Sequence, residues 1–223
     1  MSVAQTIEPT RTVGEIAASL AGATAIFRRH KIDFCCGGNV PLAEAAEKKG
    51  VDPETLLAQL SDLAGAPSEA PTESGALAVF IVKRYHETHR RELPELIKLA
   101  RRVEAVHREH EGVPAGLADV LAQAAYELED HMQKEEQVLF PAIMSGYQGP
   151  LDGPITVMRH EHDGHAVAIR AMQTLTYGFE LPPGACRSWQ ALYTGVEKLV
   201  EDLTEHMHLE NNVLFPRFES RTG

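Results

Sequence analysis

One eleven-residue segment occurs twice in the chain, and each copy carries a His four residues before a Glu. The first copy, residues 131–141, reads HMQKEEQVLFP, and the second, residues 206–216, reads HMHLENNVLFP, so seven of the eleven positions are identical. Residues four apart on an α-helix lie on one face, about 6 Å apart along the axis. A His and a Glu placed in this way can bind one metal ion together, and two such pairs facing one core could bind two.

The duplication extends upstream of each segment. His86 and His89 form a His-x-x-His pair in the first half, and His162 and His165 form the same pair in the second. The pair begins 45 residues before the first repeated segment and 44 residues before the second, so the halves superpose at an offset of about 75 residues. The sequence therefore predicts two equivalent helix pairs around one core.

Apolar residues recur at helical spacing around four of the histidines and both glutamates, which predicts that these six side chains point into the core. One such His alone would be typical of an ordinary core residue, but a buried ionised Glu without a partner is costly. Two divalent cations would neutralise both carboxylates and accept the imidazoles as ligands. Glu136 lies one step off the shared face, so we predict that it is dispensable for the metals. The candidate ligands are His86, His131, Glu135, His162, His206 and Glu210.

The donor set limits the kind of metal. Mixed imidazole and carboxylate ligation suits iron, manganese or zinc, and six side chains are too many for one tetrahedral zinc. They fit two ions, each with two histidines and both bridged by the carboxylates. Positions then remain for an oxo or hydroxo bridge and a small exogenous ligand. The spacing does not choose iron.

Other polar residues near these motifs have weaker signals. His89 and His165 lie one turn past a candidate ligand and could be ligands or neighbours of ligands. Glu127 and Asp202 each precede a motif His by four residues, and carboxylates often orient ligand histidines. Four further histidines are predicted to face solvent: His107, His110, His160 and His208.

The chain has three cysteines, which are too few for a disulfide scaffold. Cys35 and Cys36 are adjacent and are followed by two glycines that favour a turn. One interpretation is a pair of partly buried structural thiols. The other is redox exchange or iron transfer, since the basic residues 28–31 could lower a thiol pKa. Cys186, near a predicted helix start, is interpreted as structural.

The fold class is predicted to be all-α, with a small helical N-terminal domain over residues 1–64. Thr12 and Glu15 form a capping box that opens its first helix. The predicted helices of this domain cover residues 13–30, 41–49 and 55–63.

Residues 65–75 are small or polar and include two prolines, which predicts a linker. Residues 76–223 are predicted to form an antiparallel four-helix bundle, because long helical patterns alternate with short breaks. Its helices are predicted at about residues 77–110, 116–144, 154–177 and 186–218, with a kink at Pro94.

Composition excludes several classes of function. The 223 residues carry a formal net charge of −11, which disfavours nucleic-acid binding. The sequence has no run of 18 apolar residues, so no membrane span is predicted. The first twelve residues lack the apolar segment of a secretion signal. We therefore predict a cytoplasmic protein without nucleic-acid or membrane partners.

The residues together resemble a known family. A DFCCGG segment at residues 33–38, followed by a bundle with the repeated His-x-x-x-Glu segments, is similar to the iron–sulfur cluster repair di-iron proteins, the "repair of iron centres" family, whose bundle is hemerythrin-like. The resemblance covers nearly the whole chain. It implies a non-haem di-iron centre with a bridging oxo group, held by the same six ligands, and cytoplasmic repair of clusters damaged by oxidative or nitrosative stress. Ala166 stands where oxygen-carrying hemerythrins have a further His, which favours a more open centre.

Three functions remain open at this point. The first is iron donation to proteins with damaged iron–sulfur clusters. The second is an enzyme that reduces nitric oxide at the di-iron site, and the third is a module that binds or senses oxygen or nitric oxide. A homodimer is kept as a possible assembly.

Overall fold

The computed structural model describes residues 7–63, 70–147 and 149–220, and these residues form helices without any β-strand. The predicted all-α class is confirmed. Within the described ranges, no helix has the length and apolar character needed to cross a membrane.

Four short helices form the N-terminal domain. The predicted capping box is present, since the Glu15 backbone N–H donates to the Thr12 side chain and Thr12 N–H donates to the Glu15 carboxylate. The single helix predicted over residues 13–30 is wrong, because the chain breaks at Gly22, whose φ of 88° suits a glycine. The helices are α1 (Val13–Ser19), α2 (Ala23–Arg29), α3 (Leu42–Lys48) and α4 (Pro53–Ser61).

Four long helices form the bundle, and each packs against the next along the chain while α8 returns to pack on α5. Short connections between successive packed helices make the bundle antiparallel, as predicted. Helix α5 runs through Pro94 without a break. The bundle helices are α5 (74–106), α6 (117–144), α7 (Asp152–Leu175) and α8 (187–217).

Three of the bundle helices contain a wide π-helical turn, which the sequence reading did not predict. In α6 the Phe140 N–H donates to the carbonyl of Glu135, five residues back, and in α8 Phe215 does the same to Glu210. All three wide turns include a candidate ligand. They cover Val82–His86, Glu135–Leu139 and Leu209–Leu214.

Proline explains two of these turns. Pro141 and Pro216 each lie two residues after the last residue of the wide turn in α6 and α8, respectively. A proline inside a helix has no N–H to donate and its ring clashes with the carbonyl four residues back. Widening the preceding turn moves that carbonyl away, and the identical residues of the two segments produce the same local structure.

Apolar side chains form two separate buried clusters along the bundle. The larger combines one end of the bundle with the N-terminal domain, and the smaller fills the other end. On all four helices, the candidate ligands lie at or close to the positions at which the sequence passes from one cluster to the other. The fold therefore places a polar layer between two dry apolar layers.

The N-terminal domain docks on α8. The Asn212 amide donates to the Phe34 carbonyl, Arg28 pairs with Glu205 at 3.0 Å, and the Phe34 ring packs edge-on against His208. His208 is 2% exposed, so the prediction that it faces solvent is wrong. Of the other three, His160 is exposed and His107 and His110 are half-buried.

The predicted linker, residues 65–75, falls partly outside the described residues, which omit 64–69. Its last two residues, Ser74 and Gly75, belong to α5, with Glu73 capping the helix through the backbone N–H groups of Gly75 and Ala76.

Candidate metal centre

The structure brings the six candidate ligands together in the polar layer. Each is at most 1% exposed. They form two groups whose ligand atoms lie within 4.8 Å of one another, and both glutamates belong to both groups. The groups are His86, Glu135, His206 and Glu210, and His131, Glu135, His162 and Glu210.

Both carboxylates span the two groups. Glu135 Oε2 lies 3.4 Å from Nε2 of His86 and 3.4 Å from Nε2 of His131. Glu210 reaches the other two histidines with one oxygen each, at 2.9 Å and 3.1 Å between the carboxylate oxygen and Nε2. A carboxylate placed in this way can bridge two ions.

The outer nitrogens of two imidazoles bind carboxylates. His86 Nδ1 lies 2.7 Å from Glu136 Oε1, which Arg90 also contacts, and His131 Nδ1 lies 2.9 Å from Glu161 Oε2. Lys134 pairs with Glu161. The helical phase of Glu136 predicted that it would be dispensable for the metals. In the structure its carboxylate contacts His86, a candidate ligand on the neighbouring helix.

The other two imidazoles have different surroundings. His162 Nδ1 lies 2.9 Å from Asn211 Oδ1, whereas His206 Nδ1 has no hydrogen-bond partner among the described residues. The Tyr85 ring instead stacks on His206, with the ring centroids 5.6 Å apart and the planes 3° from parallel.

These outer contacts follow the internal repeat and also break it. Glu136 and Asn211 occupy the same position of the repeated segment, and each supports the first His of a His-x-x-His pair. Phe140 and Phe215 are likewise equivalent and stack on His86 and His162, respectively. Glu161 and Tyr85, each directly before such a His, differ completely, so the two halves of the centre have the same ligands but different electrostatic support.

The protonation pattern fits a cation site. Three imidazoles donate from Nδ1 to a carboxylate or amide oxygen, which leaves the Nε2 lone pair directed at the cavity. Nε2 atoms face each other at 3.1 Å in the pair His86–His206 and at 3.2 Å in the pair His131–His162. Neither oxygen of Glu135 has a hydrogen-bond partner among the described residues. Converging lone pairs and carboxylate oxygens without donors are unfavourable unless cations neutralise them.

Burial controls the charges in the cavity. It lowers the pKa of His86 and of His131 to about 4, so both imidazoles are neutral near pH 7, as metal ligands must be. Burial, then the charge of Glu210, raises the pKa of Glu135 well above its usual range. Burial also acts to raise the pKa of Glu210, but His206 and His162 outweigh it and lower that pKa.

Glu127 and Asp202, predicted from the sequence as carboxylates that could orient ligand histidines, lie away from the candidate ligands. Glu127 is exposed and accepts a hydrogen bond from Gln123, and Asp202 is buried but bonds to Arg84 and Lys198. Neither orients a ligand histidine. The residues that do so are Glu136, Glu161 and Asn211, and each is the sequence neighbour of a ligand, which is the one signal that could have indicated them.

His89 and His165 are buried beside the centre but belong to neither ligand group. Both ring nitrogens of His89, and Nε2 of His165, have no hydrogen-bond partner among the described residues. Their rings pack on ligand rings, with centroids 5.6 Å from His206 and 5.0 Å from His131. They form a second layer of imidazoles around the cavity.

The cysteine turn lies against α7. Cys36 is half-buried, and its Sγ lies 3.9 Å from the His162 carbonyl oxygen. Cys35 is buried, and its pKa is raised by the hydrogen bond to Cys36 and by burial, so the predicted basic activation does not reach it. The turn is closed by the Asp33 carboxylate, which accepts from the backbone N–H of both cysteines. Cys186 is exposed, and its Sγ lies 3.2 Å from Nε2 of His107.

Comparison with known proteins places this geometry in a family. Residues 77–218 match the hemerythrin HHE cation binding domain, and residues 9–64 match a domain of unknown function, DUF542. The chain is 44% identical over 211 residues to the iron-sulfur cluster repair protein YtfE of Dickeya chrysanthemi, covering 93% of this chain and 96% of that protein. It is 45% identical over 208 residues to YtfE of Citrobacter koseri, covering 92% and 94%.

The chain belongs to the YtfE family of hemerythrin-domain proteins. The resemblance stated from the sequence is therefore confirmed. Within this YtfE-family chain the hemerythrin match contains all six candidate ligands, and the DUF542 match contains both cysteines of the turn.

Proposed function

We propose that this protein holds two iron ions and donates iron to iron–sulfur clusters damaged by oxidative or nitrosative stress. The observation that carries the proposal is the buried cavity in which four imidazoles and two carboxylates converge and neither oxygen of Glu135 has a hydrogen-bond donor among the described residues. The similar proteins named for iron–sulfur cluster repair support the choice of substrate. One ion would bind His86 and His206, the other His131 and His162, and both would bind Glu135 and Glu210.

The donors favour iron among the metals that the layer could hold. Imidazole and carboxylate oxygen without thiolate suit non-haem iron. When bound, the two irons supply a redox-active Lewis-acidic pair, with an oxo or hydroxo group as a proposed further bridge. The protein's residues fix the imidazole tautomers, and the two apolar clusters restrict water on either side of the layer.

The cysteine turn gives the iron a route out of the bundle. Cys36 is the more exposed of the two cysteines. Thiolate is a soft ligand that suits iron during transfer. The hydrogen bond with Cys36 and burial both raise the pKa of Cys35, so this thiol stays protonated. We assign Cys36 the contact with leaving iron and Cys35 a supporting role. The partners would be cytoplasmic proteins with damaged clusters.

A second candidate function is binding of a small ligand such as nitric oxide or oxygen at the same centre. The unpartnered nitrogens of His89 and His165 favour it, because they lie beside the ligand rings and could form hydrogen bonds with a polar diatomic ligand.

Iron transfer tests the first function. Iron-loaded protein is mixed with an iron–sulfur dehydratase whose cluster has lost iron, in the presence of a chelator that captures free iron and of a reductant that supplies the electrons for iron release and cluster reassembly. We expect the dehydratase activity to recover while the absorption of the iron centre declines. The variant Cys35→Ser/Cys36→Ser should keep its iron content and transfer iron more slowly.

Two results would contradict the proposal. Elemental analysis that finds one zinc and no iron per chain would exclude the di-iron centre. Recovery no faster than with chelated iron alone would exclude donation and leave ligand binding, which nitric oxide titration of the iron absorption would then measure.

A further inference from the structure

One buried amide connects the cysteine turn to the metal layer. The Asn211 side chain is 6% exposed. Its Nδ2 donates to the Cys35 carbonyl at 3.2 Å, and its Oδ1 lies 2.9 Å from His162 Nδ1. A single side chain therefore touches both the thiol turn and a candidate ligand.

The two contacts determine each other. The Cys35 carbonyl can only accept, so the amide nitrogen must face the turn and the amide oxygen must face His162. That oxygen can only accept, so His162 must carry its proton on Nδ1 and present the Nε2 lone pair to the cavity. The position of the turn thus selects the imidazole tautomer that binds metal.

The internal repeat shows why an amide occupies this position. The equivalent residue of the first half, Glu136, supports His86 with a carboxylate, and its second role is to accept from Arg90. A carboxylate would support His162 equally well, but it has no N–H for the Cys35 carbonyl. Asn is therefore explained by the turn and not by the metal ligand.

The neighbouring residue provides an internal comparison. Asn212 Nδ2 also donates to the turn, at 3.0 Å to the Phe34 carbonyl and 3.4 Å to the Cys35 carbonyl, and it lies 3.0 Å from His208 Nδ1. Within the described part of the chain, it forms no hydrogen bond with a candidate ligand. The two amides share the docking of the turn, and Asn211 alone reaches the centre.

We propose that Asn211 is a positioning residue that couples metal binding at His162 to the reactivity of the Cys35–Cys36 thiols. This inference rests on the proposed metal centre. A cation on Nε2 makes the Nδ1–H of His162 a stronger donor, which polarises the amide and strengthens its bond to the Cys35 carbonyl. Metal therefore holds the turn closed, and loss of metal loosens it. Thiol modification that keeps the turn open should in return weaken metal binding.

Thiol alkylation measures the coupling. All proteins carry Cys186→Ser, because that exposed thiol would otherwise react, and iodoacetamide labelling of Cys36 is followed by peptide mass spectrometry with and without Fe²⁺. We expect bound Fe²⁺ to slow labelling about fivefold, the lower end of typical allosteric coupling. In Asn211→Asp, which keeps an acceptor for His162 but loses the donor to the turn, metal content should persist and the ratio should fall to near one.

Asn212→Ala is the matched control. It should label faster in both states but keep the ratio between them. Equal ratios in the starting protein and in Asn211→Asp would overturn the coupling, and they would indicate that a thiol binds the metal directly. Asn211→Ala gives a second test should the introduced carboxylate disturb folding.

The metal content separates this inference from the proposed function. Zn²⁺ in place of Fe²⁺ tests the coupling for any divalent ion on His162. Protection by Zn²⁺ in a chain that binds no iron would support the coupling and contradict the iron proposal. Bound iron without protection would contradict the coupling alone.

Discussion

At the scale of single residues, the centre depends on side chains that the helical repeat reveals and on others that it conceals. Four of the six candidate ligands could be predicted because a His and a Glu four residues apart share a helix face, and His86 and His162 because apolar residues at helical spacing surround them. Glu136 and Glu161 could not, because each reaches around the centre to a histidine on a different helix. Such contacts depend on how helices are rotated against each other, which the spacing within one helix does not specify.

Removing a bridging carboxylate should remove metal. Glu135→Ala or Glu210→Ala takes a ligand from both groups, so we expect loss of at least one ion per chain by elemental analysis. Glu127→Ala is the control, because this residue lies on the same helix as Glu135 but is exposed and bonds only to Gln123. Equal metal loss in Glu127→Ala and Glu135→Ala would show that the assigned helix face is wrong.

Removing an outer carboxylate should weaken metal binding without abolishing it. Glu136→Ala and Glu161→Ala each leave an Nδ1–H without its acceptor, and loss of such a partner typically costs 10–100-fold in affinity, so an effect on the order of tenfold or more is expected. Competition with a chromophoric chelator measures it. Glu129→Ala should change little, since Glu129 pairs with Arg90 at 2.8 Å and contacts no ligand. Unchanged affinity in both carboxylate variants would contradict their supporting role.

At the scale of helices, the sequence predicted existence and order well but missed local irregularities. The four bundle helices lie close to their predicted ranges because their apolar stripes are long. The break at Gly22 was missed because one glycine is compatible with a continuing helix. The wide turns were missed because they change the hydrogen bonding, so that an N–H donates to the carbonyl five residues back, while the apolar stripe still looks continuous in the sequence. Pro141 and Pro216, at the same place in the two segments, were the available signal.

The wide turn of α6 accommodates Pro141, and we expect it also to serve the metal layer. Deleting Gln137, an exposed residue within it, together with Pro141→Ala should return the segment to ordinary α-helix while Phe140 keeps its core position. We expect a folded protein with weaker metal binding, because the carbonyl and side chain of Glu135 shift together. Gln137→Ala with Pro141→Ala keeps the length and should bind normally. A deletion variant with normal affinity would show that the wide turn is incidental.

At the scale of the whole molecule, two domains share one core but divide the chemistry. We propose the boundaries 1–64 and 76–223, and all six candidate ligands come from the second domain. The first domain adds the thiol turn and covers α8, where His208 and Phe34 pack together. The sequence could indicate the two domains from the linker composition. It could not indicate their docking, because the docking face of α8 looks like any other core stripe.

The bundle alone should bind metal and be less stable than the complete chain. Residues 70–220 retain every candidate ligand, so two ions per chain are expected. Removing the N-terminal domain uncovers His208 and part of the larger apolar cluster, so the thermal midpoint should fall and binding of a hydrophobic dye should rise. A metal-free or unfolded bundle, measured by elemental analysis and circular dichroism, would show that the small domain completes the centre. The variant Arg28→Ala, which removes the ion pairs to Glu205 and Glu201 but keeps the domain, is the control for a surface effect.

Acid should destabilise the metal-free protein over a range set by its buried histidines. Burial lowers the pKa of His86, His131 and His208 to about 4 in the folded chain, whereas an unfolded imidazole titrates near 6.5. Between these values the unfolded chain binds more protons, so stability is complete above about pH 6.5 and is lost as the pH falls toward 4. Glu135 acts in the opposite direction, because burial raises its pKa and its stabilising proton is bound at low pH.

The histidines should dominate this balance, since burial also lowers the pKa of His89 and His165, and five histidines then oppose one carboxyl. At pH 5 each buried His costs up to about 2 kcal/mol relative to pH 7. Urea unfolding of the chelator-treated protein should therefore give a lower midpoint at pH 5 than at pH 7. His208→Gln should reduce the difference, because this substitution removes one titrating group from the domain interface and leaves the candidate ligands intact. A midpoint that is unchanged or higher at pH 5 would mean that the buried imidazoles are already charged in the folded protein, and the lone-pair argument for the metal centre would then fail with it.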